Sequence, residues 1–391
     1  MKRAAIASLL LIARVSAQAI VPPADLLRVQ KAFEPRPDEE RLPCYVTPIR
    51  PVINLAFRTE AGYTFRVPKS QYSGPTAGWM VLTAIAPEHG DPTYLLGRTR
   101  FTDAPVVESD FAIRGAYSLG TGRYSVEATL RDDRNRVCRQ HWQIVVSLSH
   151  SERSVPLAVP PLTVRELQRI NIPDVSHPDD VPPMRLSVLV SAAAFSTRRM
   201  SIVPDIERIA GALTALLEHL PASSVRLVAF SLEQRKEIFR AESFHPDDIL
   251  KLADAIESTP RATVDVSLLK TPRGYVDFLA GVIRREFAAP DRPADTVIFL
   301  GPESRYWDKI PREALPAAGQ AHPRLYYVRD EGFHPPVLWE SQRGIPTARL
   351  TRSGHQPDII SRAVAQLNGA IVNIYSPAEL AAAIRRIEGR R

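Results

Sequence analysis

Cysteine, glycine and long apolar runs are what this 391-residue chain has least of. Two cysteines exclude a disulfide-dense miniature scaffold, in which bridges stand in for a core. Eighteen glycines, without a three-residue period, exclude a collagen-like chain. Beyond the amino terminus no apolar run approaches the ~20 residues a membrane helix needs, which excludes a polytopic membrane protein. A charge excess is also missing. Lys+Arg 50 less Asp+Glu 43 gives +7, and setting aside Lys2, Arg3 and Arg14 of the leader described below leaves 47 − 43 = +4. The basic residues are interleaved with acids, as in Arg131-Asp132-Asp133-Arg134, so no nucleic-acid stripe forms. Catalytic signatures are missing too: nothing reads GxSxG, HExxH, GxGxxG or a P-loop, and the nine histidines are dispersed.

Apolar residues at 45% and charged residues at 24% match an ordinary globular protein, and the length predicts two or three domains at ~100–200 residues each. Proline is abundant. Its 35 residues are about 9% of the chain against an ordinary ~5%, clustered between apolar runs as turns, edges and linkers. Met1-Lys2-Arg3, followed by the apolar run from Ala4 to Ala13, reads as an export leader assigned to residues 1–19. Small residues suited to a signal peptidase occur in both Val15-Ser16-Ala17 and Ala17-Gln18-Ala19. Cys44 and Cys138 fit an oxidising compartment, paired as a disulfide or left as two buried thiols. The expected location is the periplasm, the cell envelope or the outside of the cell.

Residues 20–43 are a polar, proline-containing lead-in that can hold a short helix. From 44 to 148 the pattern is β. Tyr124, Val126, Ala128 and Leu130 alternate onto one face, and Cys138, Trp142, Ile144 and Val146 return on the next strand. Residues 149–184 form a proline-rich linker with room for one helix around Thr163–Ile170 and with His150 and His177 as solvated residues. From 185 to 391 strands and helices alternate. Leu186–Val190, Val225–Phe230, Thr296–Leu300, Leu325–Val328 and Ile371–Tyr375 are strands, and Ile202–Leu220, Ile249–Ile256 and Tyr275–Ile283 carry helical stripes. Alternating elements predict an α/β doubly wound sheet with ligands at the carboxyl ends of its strands.

Gly122, Tyr124 and Val126 match the Gly-x-Tyr-x-Val run of immunoglobulin-like modules in exported bacterial proteins, so residues 44–148 resemble such a β-sandwich. The order of elements after 185, with Asn368-Gly369, a strand and Ser376-Pro377-Ala378-Glu379-Leu380, resembles a von Willebrand factor type A domain. That resemblance implies a divalent-cation site, and this sequence departs from it. Ser191, Ala193 and Phe195 stand where the family has its Asp and two serines. Thr271 matches the later threonine, and Gly301 or Pro302, with Glu303 nearby, replaces the last Asp. With its carboxylate and serines missing, the site has too few anionic oxygens to offset cation dehydration, and no metal or cofactor is expected.

Phe195, Arg198, Arg199, Arg305, Tyr306 and Trp307 would lie on the loops at that sheet edge as aromatic and basic anchors for a protein partner. No catalytic residue is nominated. The paired acids Asp132-Asp133, Asp179-Asp180 and Asp247-Asp248 sit at turns or helix starts. The expected function is non-enzymatic protein–protein interaction or adhesion. The alternative is a structural or assembly component of the envelope whose contacts are made by the β domain. Neither nucleic acid nor stable membrane insertion is expected.

Overall fold

The structure, a computed structural model, describes residues 18–37, 39–72, 77–101, 110–175, 183–193, 206–259, 271–287, 293–316, 323–331 and 357–389. By its contacts the chain divides into two compact units. One gathers residues up to 52, 59–147 and 159–167, and the other residues 53–58, 148–158 and 168 onward.

In the first unit, β1 (Ala19–Ile20), α1 (Pro23–Phe33), β2 (Tyr45–Ile53), β3 (Thr59–Val67), β4 (Ala77–Pro87), β5 (Thr93–Phe101), β6 (Phe111–Leu119), β7 (Gly122–Asp132), β8 (Val137–Val146) and β9 (Val164–Glu166) follow in order. They form two sheets, β1-β5-β4-β7-β8 and β2-β3-β6-β9. Period-2 alternation is the cause. On β7 the Tyr124, Val126, Ala128 and Leu130 side chains are buried, and they join Tyr63, Phe65, Tyr117 and Leu119 of the other sheet in one core. The Tyr124 hydroxyl donates to the Gly120 carbonyl at 2.9 Å, which satisfies the polar end of a buried ring. At the tip of the β7–β8 hairpin, Asp132 accepts from the Arg134 and Arg136 N–H groups at 3.0 and 2.8 Å while pairing with the Arg136 guanidinium. The turn is thus closed by its own side chains. Cys44 and Cys138 form a disulfide, with their Cα atoms 6.2 Å apart.

The lead-in is structured. Val21 and Phe33, with Leu26 and Val29 of α1, pack on Leu82, Met80, Tyr94 and Leu96. The helix expected around Thr163–Ile170 is instead strand β9, paired antiparallel to β6 from Tyr117↔Glu166 to Leu119↔Val164. Pro160 and Pro161 favour extended backbone before it, and the Gly120 N–H donates to the Thr163 carbonyl. Three residues in register with a sheet edge outweigh a weak helical pattern.

The second unit holds β10 (Met184–Ser191), α2 (Ile206–His219), β11 (Ala222–Ser231), β12 (Lys236–Ala241), α3 (Asp248–Ser258), α4 (Gly274–Phe287), β13 (Thr296–Pro302), β14 (Arg324–Asp330), α5 (Ile359–Gln366), β15 (Ala370–Ile374) and α6 (Pro377–Glu388). Its sheet runs β12-β11-β10-β13-β14-β15, with β12 antiparallel to β11 and the other pairs parallel. Alternate strand residues feed two cores. Leu186, Val188 and Val190 meet α2, α3 and α6, joined by Leu55, Phe57 and Val155. Leu189, Val228, Val297 and Phe299 meet α4 and α5.

The expected fold class, a doubly wound type A-like α/β domain plus an immunoglobulin-like sandwich, is corrected. Strands hold 40% of the described residues and helices 27%, in three sheets. With only six short helices among the described residues, the chain is predominantly β and sandwich-like. The physical reason is the weight of strands: nine in the two sheets of the first unit and six in the sheet of the second outnumber the six helices among the described residues. The apolar helical stripes after residue 185 also drew more weight than their short helices carry.

Candidate functional site

Strands β10, β13 and β14 end together, because parallel pairing brings Val190 beside Leu300 and Pro302 beside Asp330. Gly301 makes the approach possible. Its φ is +145°, and a Cβ there would stand 2.7 Å from the Ser191 carbonyl oxygen. Ser191 and Ala193 are buried at the end of β10. Asp330, buried at the end of β14, receives two bonds from the Arg208 guanidinium of α2, Nε to Oδ2 at 2.5 Å and Nη2 to Oδ1 at 2.7 Å. This fork neutralises the carboxylate with a protein cation.

The loop after β13 is pinned from below. Asp358, at the N-terminus of α5, accepts from the Ser304 N–H at 2.7 Å and the Ser361 N–H at 2.8 Å. The Tyr306 N–H donates to Ser304 Oγ at 3.2 Å, and the Tyr306 carbonyl accepts from the Ile359 N–H at 2.7 Å. The Tyr306 ring lies against Tyr275 with centroids 4.0 Å apart, and Tyr275 donates to the Asp308 carboxylate. Burial, reinforced by the Glu233 charge, pushes the Tyr306 phenol up from its ordinary value. Trp307 is different. It follows this anchored turn with 52% of its surface exposed. Arg305, Lys309 and Arg312, within five residues of it in sequence, are exposed as well, as is Arg273, 3.7 Å from Asp308. The arrangement presents one indole and several cations on a backbone that is held in place.

Among the sequence-nominated residues, the structure therefore brings Arg305, Tyr306 and Trp307 onto one loop, with Tyr306 turned inward as its anchor. Phe195, Arg198 and Arg199 lie outside the described residues. Of the former cation positions, Thr271 Oγ1 accepts from the Arg235 guanidinium at 2.6 Å, and Glu303 lies 3.8 Å from Arg329. Arg329 also bonds Glu331 at 2.6 Å and Asn373 Oδ1 at 3.1 Å. Among the described residues no three His, Cys, Asp or Glu side chains gather as metal ligands. Sequence reasoning missed Arg208–Asp330 and Asp358. The first pair is 122 residues apart and carries no local signal. The second could have been found, since Pro357-Asp358 ahead of an apolar helical run is an N-cap pattern.

No family model matches the chain, and no curated protein matches it. A lipoprotein from Bacteroides thetaiotaomicron is 10% identical over 29% of this chain and 88% of its own, with a TM-score of 0.14. A structural-genomics target solved by X-ray diffraction is 10% identical over 29% of this chain and 95% of its own, at 0.20. A β-glucuronidase from Bacteroides uniformis is 11% identical over 74% of this chain and 36% of its own, at 0.18. Scores this low carry no argument about fold or function. The resemblance to a von Willebrand factor type A domain preceded by an immunoglobulin-like module is accordingly corrected, since neither a family match nor the predominantly β architecture supports it.

The Cys44–Cys138 disulfide fits an exported protein. Among the described residues no helix is long and apolar enough to cross a membrane.

Proposed function

We propose that the chain is an exported, non-enzymatic binding protein whose loop after β13 captures another protein, in the periplasm or at the cell envelope. The observation that carries this reading is Trp307, a large indole half out of the protein on a loop whose neighbours on either side are fixed. An exposed aromatic costs solvation free energy, and interfaces concentrate Trp and Arg at their energetic centres. Arg305, Lys309 and Arg312 suit a partner whose ring-sized apolar recess is rimmed by carboxylates. Pre-fixing the backbone lowers the ordering cost of association.

The test uses the full chain. Trp307→Ala and Arg305→Ala are compared with the parent for capture of protein from envelope extracts, after melting curves establish that each is folded. The reading expects a specific partner whose capture falls at least tenfold in both variants at unchanged melting temperature. Undiminished capture in both variants overturns it.

A further inference from the structure

We propose that the export leader is removed between Ala17 and Gln18, so that Gln18 begins the mature chain and its side chain is a permanent part of the sandwich core. The inference rests on the export reading above. Both Val15-Ser16-Ala17 and Ala17-Gln18-Ala19 place small residues where a signal peptidase reads them, so sequence leaves two cuts open. They differ in whether Gln18 and Ala19 stay with the protein.

Gln18 is 4% exposed, an unusual state for a glutamine. Its Nε2 donates to the Tyr63 hydroxyl at 2.6 Å and to Thr83 Oγ1 at 3.1 Å. Tyr63 and Thr83 are themselves buried and share a 2.6 Å hydrogen bond. Tyr63 belongs to β3 in one sheet and Thr83 to β4 in the other, so the carboxamide ties the two sheets of the first unit together. Space is reserved for it. A Cβ on Gly97 of β5 would stand 2.9 Å from Gln18 Cγ, whereas one on Gly115 of β6 would meet the Tyr63 ring first, 2.2 Å from Cζ, and Gln18 Oε1 only at 2.6 Å. The next residue, Ala19, is paired with Leu96 as half of β1.

A cut after Ala19 removes the shared donor from Tyr63 and Thr83, opens the room beside Gly97, and halves β1. Its compensation is a terminal ammonium at Ile20, whose N–H already donates to Glu166 Oε1 at 2.5 Å. Glu166 is exposed, and an ion pair in solvent returns little of what a buried hydrogen-bonded group loses. A cut after Ala17 keeps the Ala19–Leu96 pair, and it keeps the bonds to Tyr63 and Thr83 as long as the new amine does not cyclise onto the carboxamide and expel Nε2 as ammonia. The peptidase then leaves a new terminus whose first side chain is already seated.

The full chain, expressed with its leader in a bacterial host and recovered from the periplasm, is read by N-terminal sequencing and intact mass. The expected first residue is Gln18. A chain beginning at Ile20 overturns this inference and leaves the export reading standing, whereas a chain beginning at Met1 overturns both. Gln18→Ala, which preserves the Ala17 site, supplies a second readout. It is expected to lower the melting temperature of the recovered protein by several degrees. A chain cut after Ala19 has already lost residue 18, so a silent substitution also overturns the inference.

Discussion

Glu286 of α4 is a carboxylate with 1% of its side chain exposed, and its removal gives a sharp test of how the second unit is held together. It accepts from Ser187 Oγ of β10 at 2.8 Å, Arg226 Nη1 of β11 at 3.0 Å and Arg240 Nη2 of β12 at 2.9 Å. One side chain therefore joins a helix to three strands. Deleting one member of a buried ion pair costs ~3–5 kcal/mol, because the other charge is left in low dielectric, and a lost buried hydroxyl partner adds ~1 kcal/mol. Two features reduce the total. Arg226 keeps Glu242 at 2.7 Å, and Arg240, with 23% of its side chain exposed, rehydrates and keeps Glu237. Glu286→Ala should then destabilise the second unit by about 3 kcal/mol, near the foot of that range. Hydrogen exchange of the β10 and β11 amides reads this unit without assuming one transition for the whole chain. Their protection should fall by about two orders of magnitude, since ~1.4 kcal/mol is a factor of ten. Glu286→Gln, which retains an acceptor but not the charge, should fall between the two. A Glu286→Ala change under about 0.5 kcal/mol, the range of an ordinary surface substitution, would refute the reasoning.

Three further outcomes follow from the same contacts. Replacing Cys44 and Cys138 together by Ser should cost about 4–5 kcal/mol, the chain entropy of a loop spanning a separation of 94 residues, measured as a lower urea midpoint; an unchanged midpoint would remove the bridge from the account. Burial holds the His219 imidazole below its usual value, with Arg58 acting the same way and Glu218 opposing. The unfolded chain thus binds the proton first, so the second unit should be fully stable above about pH 6.5 and weaken as pH falls from there through the folded value. His219→Gln should flatten that part of the stability–pH curve, and a curve of unchanged slope would contradict the assignment. Finally, Lys251, the His245 N–H and their charges hold the Asp248 carboxyl below its ordinary range. Its contribution should be complete above about pH 4 and fade on further acidification, an effect that Asp248→Asn abolishes in acid titrations monitored by circular dichroism.

The sequence made some of this plain and concealed the rest for physical reasons. Period-2 alternation at Tyr124, Val126, Ala128 and Leu130 is a local signal, and those four side chains are buried together. Two cysteines in one β-rich segment left a bridge or two thiols open, and the structure has the bridge. Strand β9 was hidden because its three residues owe their conformation to β6, more than forty positions away in sequence. Gln18 read as a leader residue, since nothing local announces that Gly97 makes room for it. At the candidate site the aromatic and basic residues were legible as types. Their division into an inward Tyr306 and an outward Trp307 depends on Asp358, Tyr275 and Ile359, which the order of residues does not bring together.

The central claim is that the loop carrying Trp307 meets another protein after export. It is tested most directly by placing a photo-crosslinking amino acid at position 307 of the full chain in living cells, with Val145, 54% exposed on β8, as the comparison position. The account predicts one discrete protein adduct from position 307 and none from position 145. Adducts from position 145 alone would contradict it and favour an envelope component that makes its contacts through the β-sandwich.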